Sequence, residues 1–306
     1  MRRFQYFAPQ SLDEAVTLLK ERGDGAKLLA GGTDLLVQMK EAGLHPGSIV
    51  SLHALPELRG IEFDEAQGLR VGAAVDMATI ESFPAVRERY AALADGAGIV
   101  GSVQTRNMAT LGGNIANAAP SADTAPPMVV LDAVAQAVGP DGEREIAVSE
   151  LFAGPGRTAL DPHEVLVAFR LPTPPPHTGS VYQRHTPRKI MDIAAVGVAI
   201  RLTLAPDADT ISDAIRLTLA PDADTISEAQ ICLGAVAPTV IRAPEAEEAL
   251  VGRPASEEAF ARAAELAQAA ARPISDLRGS AEFRRHLVGI LTRRCLGIAL
   301  QRAQAR

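Results

Sequence analysis

The sequence predicts an α+β fold built from three consecutive units, and three observations carry that prediction. Helical and strand patterns alternate in residues 1–57, short strand patterns with turns dominate from Gly60 onward, and strands followed by two helices end the chain. The proline-rich stretch "PTPPPHTG" lies before this last group and reads as a stiff, extended linker. We therefore place the units at 1–57, 58–175 and 176–306.

The first unit reads as helix, strand, glycine turn, helix and strand. Its first helix begins with Ser11 and Glu14, which have the spacing of a capping box, and carries apolar residues on one face. Gly23 follows this helix and is a typical terminator. The later segments of the unit predict, in order, a buried strand, a helix and a strand at 26–30, 33–42 and 48–52.

The second and third units combine strands, hairpins and helices. In the second unit, "GIEFDEAQGLRVGAAVD" predicts two strands, "PAVRERYAALADGAG" a helix, "DAVAQAVGPDGEREIAVSEL" a hairpin and "EVLVAFRLP" a strand. In the third unit, "GSVYQRH" and "DIAAVGVAIRLTL" predict strands, and two helices follow near 256–271 and 280–302. The apolar side predicted for the last helix consists of Phe283, Leu287, Ile290, Leu291 and Leu296.

A tandem repeat lies in the third unit. Residues 200–214 and 215–229 differ only at Asp213 and Glu228, so a strand-plus-turn module occurs twice. One copy would form a hairpin with "AQICLGAVA", and a second copy adds a strand. We predict that one copy is extruded as a surface flap or an added edge hairpin; the alternative is a recent duplication with no functional role.

Composition and charge argue against several classes of protein. The 306 residues are 47% hydrophobic and 22% charged, which is ordinary for globular domains. A net charge of −7 disfavours a general nucleic-acid binder. Because no long apolar run and no secretory-signal pattern occur, we expect no membrane span and a cytoplasmic location. Cys232 and Cys295 are far apart, so we expect core residues rather than a disulfide framework or iron–sulfur ligands.

Several common site motifs are absent from the sequence. It contains no G-x-x-x-x-G-K-[ST] phosphate loop, no G-x-G-x-x-G between a strand and a helix, no G-x-S-x-G and no H-E-x-x-H. The six histidines are scattered without the spacing of metal ligands. The sequence therefore predicts no metal ligand in this chain.

Two glycine pairs remain as candidate site elements. Gly31 and Gly32 follow a predicted strand and precede a predicted helix, where bare backbone amides and a helix N-terminus suit a phosphate without any lysine. The segment "TLGGNIANAAPSAD" offers a second such cradle, with polar groups from Thr110 and Asn114 and an acceptor at Asp123. Together they suit a pyrophosphate joined to a large planar group. The alternative is that both pairs are structural tight turns.

The two glycine segments resemble a known family. "KLLAGGTDLLVQMK" and "ATLGGNIANAAPSADTAPPMVVLDA" are similar to the two FAD-binding signatures of the medium, flavoprotein subunit of molybdenum hydroxylases, a group that includes carbon monoxide and xanthine dehydrogenases. "FAPQSLDEAVTLL" and "DLRGSAEFRRHLVGILTRRCL" extend the resemblance over nearly the whole chain. It implies two FAD-binding subdomains of the vanillyl-alcohol-oxidase (PCMH) type, followed by a C-terminal α/β domain of the carbon monoxide dehydrogenase flavoprotein type.

The resemblance also implies which residues bind FAD. The first loop would line the pyrophosphate with Leu28, Leu29, Ala30, Gly31, Gly32, Thr33, Asp34 and Leu35. The second loop would comprise Thr110, Leu111, Gly112, Gly113 and Asn114, with Asp123 accepting a hydrogen bond from the cofactor. Val100 would lie near the flavin, Leu166 on the adenine side, and Arg184 where xanthine dehydrogenases carry a lysine, with Lys189 nearby.

The same resemblance implies partner chains and a role in electron transfer. A large subunit would hold the molybdopterin and a small subunit the [2Fe–2S] clusters, in a dimer of heterotrimers. FAD in this chain would take electrons from those clusters and pass them to an external acceptor such as NAD+, a quinone or oxygen. Since this transfer needs no acid, base or nucleophile from the chain, the resemblance implies no catalytic residue here. Two alternatives remain: a stand-alone FAD-dependent oxidoreductase of the same fold, and a non-catalytic scaffold subunit.

Overall fold

The computed structural model of the protein describes residues 2–188, 191–205 and 224–306. Strands and helices are mixed along the chain, so the α+β prediction is confirmed. The three larger sheets follow one another in sequence: one of three strands, one of five and one of four. None of the described helices is long and apolar enough to cross a membrane.

The first sheet is parallel, with strand order β1-β3-β2. Its elements are β1 (Gln5–Phe7), α1 (Leu12–Arg22), β2 (Ala26–Leu29), α2 (Leu35–Glu41) and β3 (Ser48–Ser51). The predicted cap of α1 is confirmed in one half, because the Ser11 side chain accepts from the Glu14 amide. The Glu14 carboxylate instead accepts from the amide of Gln10, one residue before the predicted partner.

The second sheet is antiparallel, with strand order β4-β5-β10-β6-β7. Its strands are β4 (Ile61–Asp64), β5 (Gly68–Gly72), β6 (Val134–Gly139), β7 (Gly142–Ala147) and β10 (Val165–Leu171). The small hairpin of β8 (Phe152–Gly154) and β9 (Arg157–Thr158) lies between β7 and β10 in sequence. The predicted hairpin with its Pro-Asp-Gly turn is confirmed as β6–β7.

Six short helices connect β5 to β6. They are α3 (Met77–Ser82), α4 (Pro84–Arg89), α5 (Ala91–Ala97), α6 (Val103–Arg106), α7 (Leu111–Ala116) and α8 (Ala125–Val130). The single helix predicted over 84–98 is wrong, because the buried Tyr90 has non-helical backbone angles and separates α4 from α5. The break lets the Tyr90 ring fill the core of the second sheet.

The third sheet is antiparallel, with strand order β11-β12-β13-β14. Its elements are β11 (Thr178–His185), β12 (Val196–Leu204), β13 (Ile226–Gly234), β14 (Ile241–Arg242), α9 (Pro244–Glu248), α10 (Glu257–Ala270) and α11 (Ala281–Gln304). Both predicted C-terminal helices are confirmed, and both cysteines are buried and free, as expected.

The buried side of α11 differs from the predicted one. Phe283 and Ile290 are each 42% exposed, whereas Leu291 and Leu296 are buried as expected. The helix instead buries small and medium residues at helical spacing, including Val288, Cys295, Ala299 and Ala303. Small residues allow the helix to lie close to β11, since a Cβ at Gly179 would lie 2.0 Å from the Ala299 carbonyl oxygen.

The repeat contributes one strand from each copy to the described sheet. The start of the first copy lies in β12 and the end of the second copy lies in β13, and the two strands pair with Leu204 opposite Ile226. Residues 206–223, where the predicted extrusion would occur, lie outside the described residues. The extrusion therefore stays a prediction.

Candidate functional site

The first glycine pair lies in the loop between β2 and α2. Gly32 has a φ of 72°, a conformation that side chains with a Cβ rarely adopt. A Cβ at Gly31 would lie 1.9 Å from the carbonyl oxygen of Met108, so only glycine permits this contact between the two segments. Both glycines are thus explained by the backbone of the loop and its close packing.

The amides of this loop are free donors. Between Gly31 and Leu35 no backbone N–H donates a hydrogen bond to any described residue. The N-terminus of α2 has no side-chain cap, and helix N-termini carry a partial positive charge. Burial raises the pKa of the nearby Asp34 carboxyl above its usual value. The loop therefore offers several neutral donors to a single anionic group, as the sequence predicted.

The second glycine pair has a different role from the predicted one. Gly112 and Gly113 lie in the first turn of α7, where Thr110 is the N-cap. The Gly113 amide donates to Thr110 Oγ1 at 3.1 Å, and the Gly112 amide to the Ala73 carbonyl at 2.8 Å. The amides of Leu111 and Asn114 also have backbone acceptors. The interpretation of this segment as a cradle of bare amides is therefore wrong.

Gly113 nevertheless presents open space. A Cβ at Gly112 would lie 2.7 Å from the carbonyl oxygen of Ala73, so that glycine is required for packing on the end of β5. A Cβ at Gly113 would meet only the Thr110 hydroxyl, at 3.0 Å. What the second segment offers to a ligand is a smooth surface at Gly113 and polar side chains beside it.

Both glycine segments line one cleft of about 480 Å³, within the usual range for small-molecule sites. The predicted site residues that line it are Leu28, Ala30, Gly31, Gly32, Thr33, Asp34, Leu35, Val100, Thr110, Gly112, Gly113, Asn114 and Leu166. The structure thus brings together the first loop, the second segment, Val100 and the strand that carries Leu166.

Four of the predicted site residues that the structure describes do not line this cleft. Leu29 lies in β2 behind the loop, and Leu111 is fully buried in the core. Asp123 and Arg184 lie in a separate polar cluster. Lys189 falls outside the described residues.

Asp123 is the centre of that buried polar cluster. Its Oδ1 accepts a hydrogen bond from the Tyr182 hydroxyl at 2.9 Å, and its Oδ2 forms an ion pair with Arg184, which also donates to the Ile99 carbonyl at 3.0 Å. Burial raises the pKa of Asp123 to about 6, although Arg184 and Tyr182 act in the opposite direction. Burial also raises the pKa of Tyr182, and the Asp123 charge adds to that rise.

The cluster is connected to the cleft through the residue next to Asp123. Thr124 Oγ1 donates to Asn114 Oδ1 at 2.6 Å, and Asn114 lines the cleft. Ile99, which accepts from Arg184, is followed by Val100, another lining residue. Asp123 and Arg184 are therefore each one hydrogen bond and one chain neighbour away from a residue of the cleft wall.

Three polar residues in or near the site were not predicted from the sequence. Gln38 Nε2 donates to Asn117 Oδ1 at 3.4 Å, which joins α2 to the end of α7 across the cleft. Helical spacing could have indicated both, since Gln38 lies four residues after Asp34 and Asn117 three after Asn114. Tyr182 could have been found from strand parity, because it shares a face with Arg184.

Comparison with known families decides the identity of the fold. Residues 2–174 match the family described as the FAD binding domain in molybdopterin dehydrogenase, and residues 182–299 match the CO dehydrogenase flavoprotein C-terminal domain. The chain is a FAD-binding subunit of the molybdenum hydroxylase family. The resemblance and the fold predicted from the two glycine segments are thereby confirmed, and the flavoprotein belongs among oxidoreductase subunits.

Individual relatives of this flavoprotein agree with that assignment. It is 34% identical over 300 residues to the carbon monoxide dehydrogenase medium chain of Hydrogenophaga pseudoflava, with 98% of each chain covered. It is 34% identical over 299 residues to a putative xanthine dehydrogenase FAD-binding subunit of Escherichia coli, covering 97% of this chain and 96% of the relative. A solved Hydrogenophaga carbon monoxide dehydrogenase structure matches with a TM-score of 0.88, 35% identity and 98% of each chain covered.

The cleft fits the cofactor of this family on chemical grounds. The pyrophosphate of FAD needs hydrogen-bond donors, and the loop from Gly31 to Leu35 supplies amides that have no acceptor in the described chain. Its planar rings need flat, apolar surfaces, and Val100, Leu160 and Leu166 line the same cleft. The residues present therefore suit FAD.

Proposed function

We propose that this flavoprotein holds the FAD pyrophosphate on the amides between Gly31 and Leu35. The observation that carries the proposal is that these donors have no acceptor in the described chain and face a cleft of suitable size. Thr33 adds a hydroxyl donor to the same loop. The loop needs no cation, because several neutral donors and a helix N-terminus act on one anion.

The remaining predicted site residues form part of the same proposal. Thr110 and Asn114 would orient the cofactor from α7, with Leu28, Leu29, Ala30 and Leu111 supporting the two loops. Val100 would contact the flavin and Leu166 the adenine side. Lys189 lies outside the described residues and stays a predicted cofactor-binding residue. The proposed units remain 1–57, 58–175 and 176–306; each of the three larger sheets lies within one of them.

Asp123 would accept a hydrogen bond from the cofactor while Tyr182 and Arg184 hold it in place. Each carboxylate oxygen has more than one lone pair, so donors from Tyr182 and Arg184 leave capacity for a third. The two partners fix the direction of the carboxylate in a buried site. Arg184 would thus act on the cofactor through Asp123 and through the carbonyl of Ile99.

We further propose that this chain is the electron-transfer subunit of a larger oxidoreductase. FAD supplies the ability to accept electrons singly and to release them in pairs. In this proposal a small partner subunit holds [2Fe–2S] clusters, a large one holds molybdopterin, and the complex is a cytoplasmic dimer of heterotrimers. The names of its relatives support separate chains, since they are called medium chains or FAD-binding subunits.

Affinity purification from the native source tests this function. The expected result is a yellow complex with flavin absorbance, molybdenum, iron and two additional chains. Flavin without molybdenum or iron–sulfur partners would indicate the stand-alone oxidoreductase instead. Absence of flavin from an intact complex would indicate a scaffold subunit whose glycine segments are structural.

A further inference from the structure

A second, larger groove lies along the free edge of β11, between α5 and α11. Its volume is about 1370 Å³, above the usual range for small-molecule pockets, and none of its lining residues lines the FAD cleft. β11 is the first strand in the order β11-β12-β13-β14, so no strand pairs with it on the side that faces the groove. Its size and shape suit a segment of polypeptide.

The hydrogen-bond pattern of β11 shows which backbone groups face the groove. Leu204 donates its amide to the His177 carbonyl, so alternate residues from His177 onward bond to β12. The residues between them, Thr178, Ser180, Tyr182 and Arg184, direct their backbone N–H and C=O groups away from β12. These groups form the outer edge of the sheet.

Side chains cover only the first half of this edge. Arg306 donates to the Thr178 carbonyl at 3.0 Å, and Arg302 donates to the Ser180 carbonyl at 2.7 Å. Asp95 accepts from the Tyr182 amide at 3.1 Å. Beyond that point the Tyr182 carbonyl and both backbone groups of Arg184 have no hydrogen-bond partner within the described ranges. An edge with free groups is a template for another strand.

The charge of the groove is opposite to that of the chain. Six arginines and three acidic residues line it, whereas the whole chain carries a net charge of −7. Three of the arginines, Arg184, Arg188 and Arg302, are neutralised by ion pairs, and the other three exceed the acidic residues left without a partner in the described chain. Arg87 on α4 and Arg294 on α11 are exposed, and neither makes an ion pair with a described residue. Two unneutralised arginines, one on α4 and one on α11, favour an occupant that carries negative charges.

Part of the groove lining is apolar. It includes Ala91 and Ala94 of α5, Val181 of β11, and Leu291 and Ile298 of α11. An occupant must therefore bury apolar groups while its charged groups reach the rim. Because side chains of a strand alternate between two faces, an extended segment with alternating acidic and apolar residues meets this need.

We propose that the groove binds an extended, acidic segment of a partner chain, which adds to β11 as a further strand of the sheet. The free groups of Tyr182 and Arg184 provide the main-chain hydrogen bonds, and Arg87 and Arg294 select acidic side chains. This is strand addition at a sheet edge, in which backbone bonds give affinity and side-chain positions give specificity. It requires no FAD in the neighbouring cleft.

A synthetic peptide of about eight residues, in which glutamate alternates with valine, is the probe. Fluorescence anisotropy with the full chain is expected to show saturable binding. Two further peptides have the same sequence: one carries N-methyl groups on its odd-numbered amides and the other on its even-numbered amides. One of them is expected to lose binding and the other to keep it, because only one set faces β11. No binding by the unmethylated peptide, or equal binding by both methylated ones, would overturn strand addition.

The charge part of the proposal has its own variants. Arg87→Glu with Arg294→Glu is expected to weaken peptide binding roughly tenfold or more. Arg262→Glu with Arg285→Glu changes the net charge equally at exposed sites outside the groove and is expected to leave binding unchanged. Equal weakening by both pairs would mean unspecific attraction and would overturn the assignment to this groove.

Two measurements distinguish binding of a peptide strand from binding of a small anion. Hydrogen exchange of the Arg184 amide is expected to slow when the peptide binds. Inorganic pyrophosphate is expected not to displace the peptide; displacement without protection of Arg184 would make the groove a small-anion site instead. FAD content is measured on the same samples and is expected to be equal in all variants, so failure of this proposal is distinct from failure of the FAD site.

Discussion

Tyr182 donates its hydroxyl hydrogen to Asp123 Oδ1 at 2.9 Å, and both residues are buried. The contact joins the third sheet to the segment between α7 and α8, across the boundary between the FAD-binding and C-terminal parts of the fold. Arg184, two residues further along β11, pairs with the other oxygen of the same carboxylate. The C-terminal part of the chain thereby orients a carboxylate beside the FAD cleft.

Tyr182→Phe is expected to raise the pKa of Asp123 further, because the hydroxyl hydrogen bond lowers that pKa. Loss of one partner of a buried hydrogen bond should also lower the free energy of unfolding by about 1–3 kcal/mol. Carboxyl titration by infrared or NMR spectroscopy and urea unfolding check the two effects. Tyr6→Phe, at an exposed tyrosine, serves as the control. An unchanged Asp123 pKa would contradict the proposed role of the hydroxyl.

The raised pKa of Asp123 predicts a specific pH dependence of stability. Its carboxyl holds a proton up to about pH 6 in the native chain, compared with 3.8 as the usual value. Between these values the native state binds more protons than the unfolded state, so the free energy of unfolding falls as pH rises. The expected fall is on the order of 3 kcal/mol, relative to Asp123→Asn, in which this group no longer titrates. If the difference in free energy of unfolding between the unchanged chain and Asp123→Asn grows with pH, the Arg184 charge has a larger effect on the Asp123 pKa than burial does.

Arg184→Met is expected to destabilise the chain by about 3–5 kcal/mol when Asp123 is ionised, because it leaves a buried charge without its partner. The loss should be smaller at low pH, where the carboxyl is neutral. Arg188→Met is the matched control, since the Arg188 side chain is 73% exposed in its ion pair. Urea unfolding at two pH values measures both variants. Equal losses at both pH values would contradict the electrostatic explanation.

Gly113→Val is expected to reduce bound FAD strongly while the fold is kept. The new side chain would extend from a position where only the Thr110 hydroxyl is near, and Gly113 lines the cleft. Gly297→Val is the control, because Gly297 is also helical and has nothing within 4 Å of its Cβ position. Flavin absorbance per chain and circular dichroism are the measurements. Retention of FAD by Gly113→Val would show that α7 does not contact the cofactor.

Thr110→Val is expected to lower the free energy of unfolding by about 1 kcal/mol, because the side-chain cap of α7 is lost. Thr110→Ser should keep the cap and the stability. Comparison of the two variants by urea unfolding distinguishes the contribution of the capping hydroxyl to stability from that of the branched side-chain shape. If Thr110→Ser is as unstable as Thr110→Val, the cap is not the stabilising contact.

Local patterns predicted most elements because their causes are local. The capping serine of α1, the Pro-Asp-Gly hairpin and the two C-terminal helices follow from neighbouring residues, and the structure confirms them. The free amides of the first glycine pair also agree with the sequence pattern, because they follow from a strand, a turn and a helix in direct succession; binding of the pyrophosphate there stays a prediction.

Contacts between distant segments explain what the sequence could not predict. The amides of Leu111 and Gly112 bond to Val75 and Ala73 at the end of β5, and no local pattern reveals that pairing. Tyr90 interrupts a good helical pattern because its ring fills the core. Asp123 finds its partners on β11, in a later unit of the chain. In each case tertiary packing outweighs local preference.

In the proposed function the amides of the first loop hold FAD, and those of α7 do not. Amide hydrogen exchange, measured by NMR with and without FAD, distinguishes the two sets of amides. We expect fast exchange from Gly31 to Leu35 in the FAD-free chain and strong protection on binding. We expect little change for the amides of Leu111 to Asn114, which are already hydrogen-bonded. Protection confined to the α7 amides, with the first loop unchanged, would mean that the first loop does not hold the cofactor.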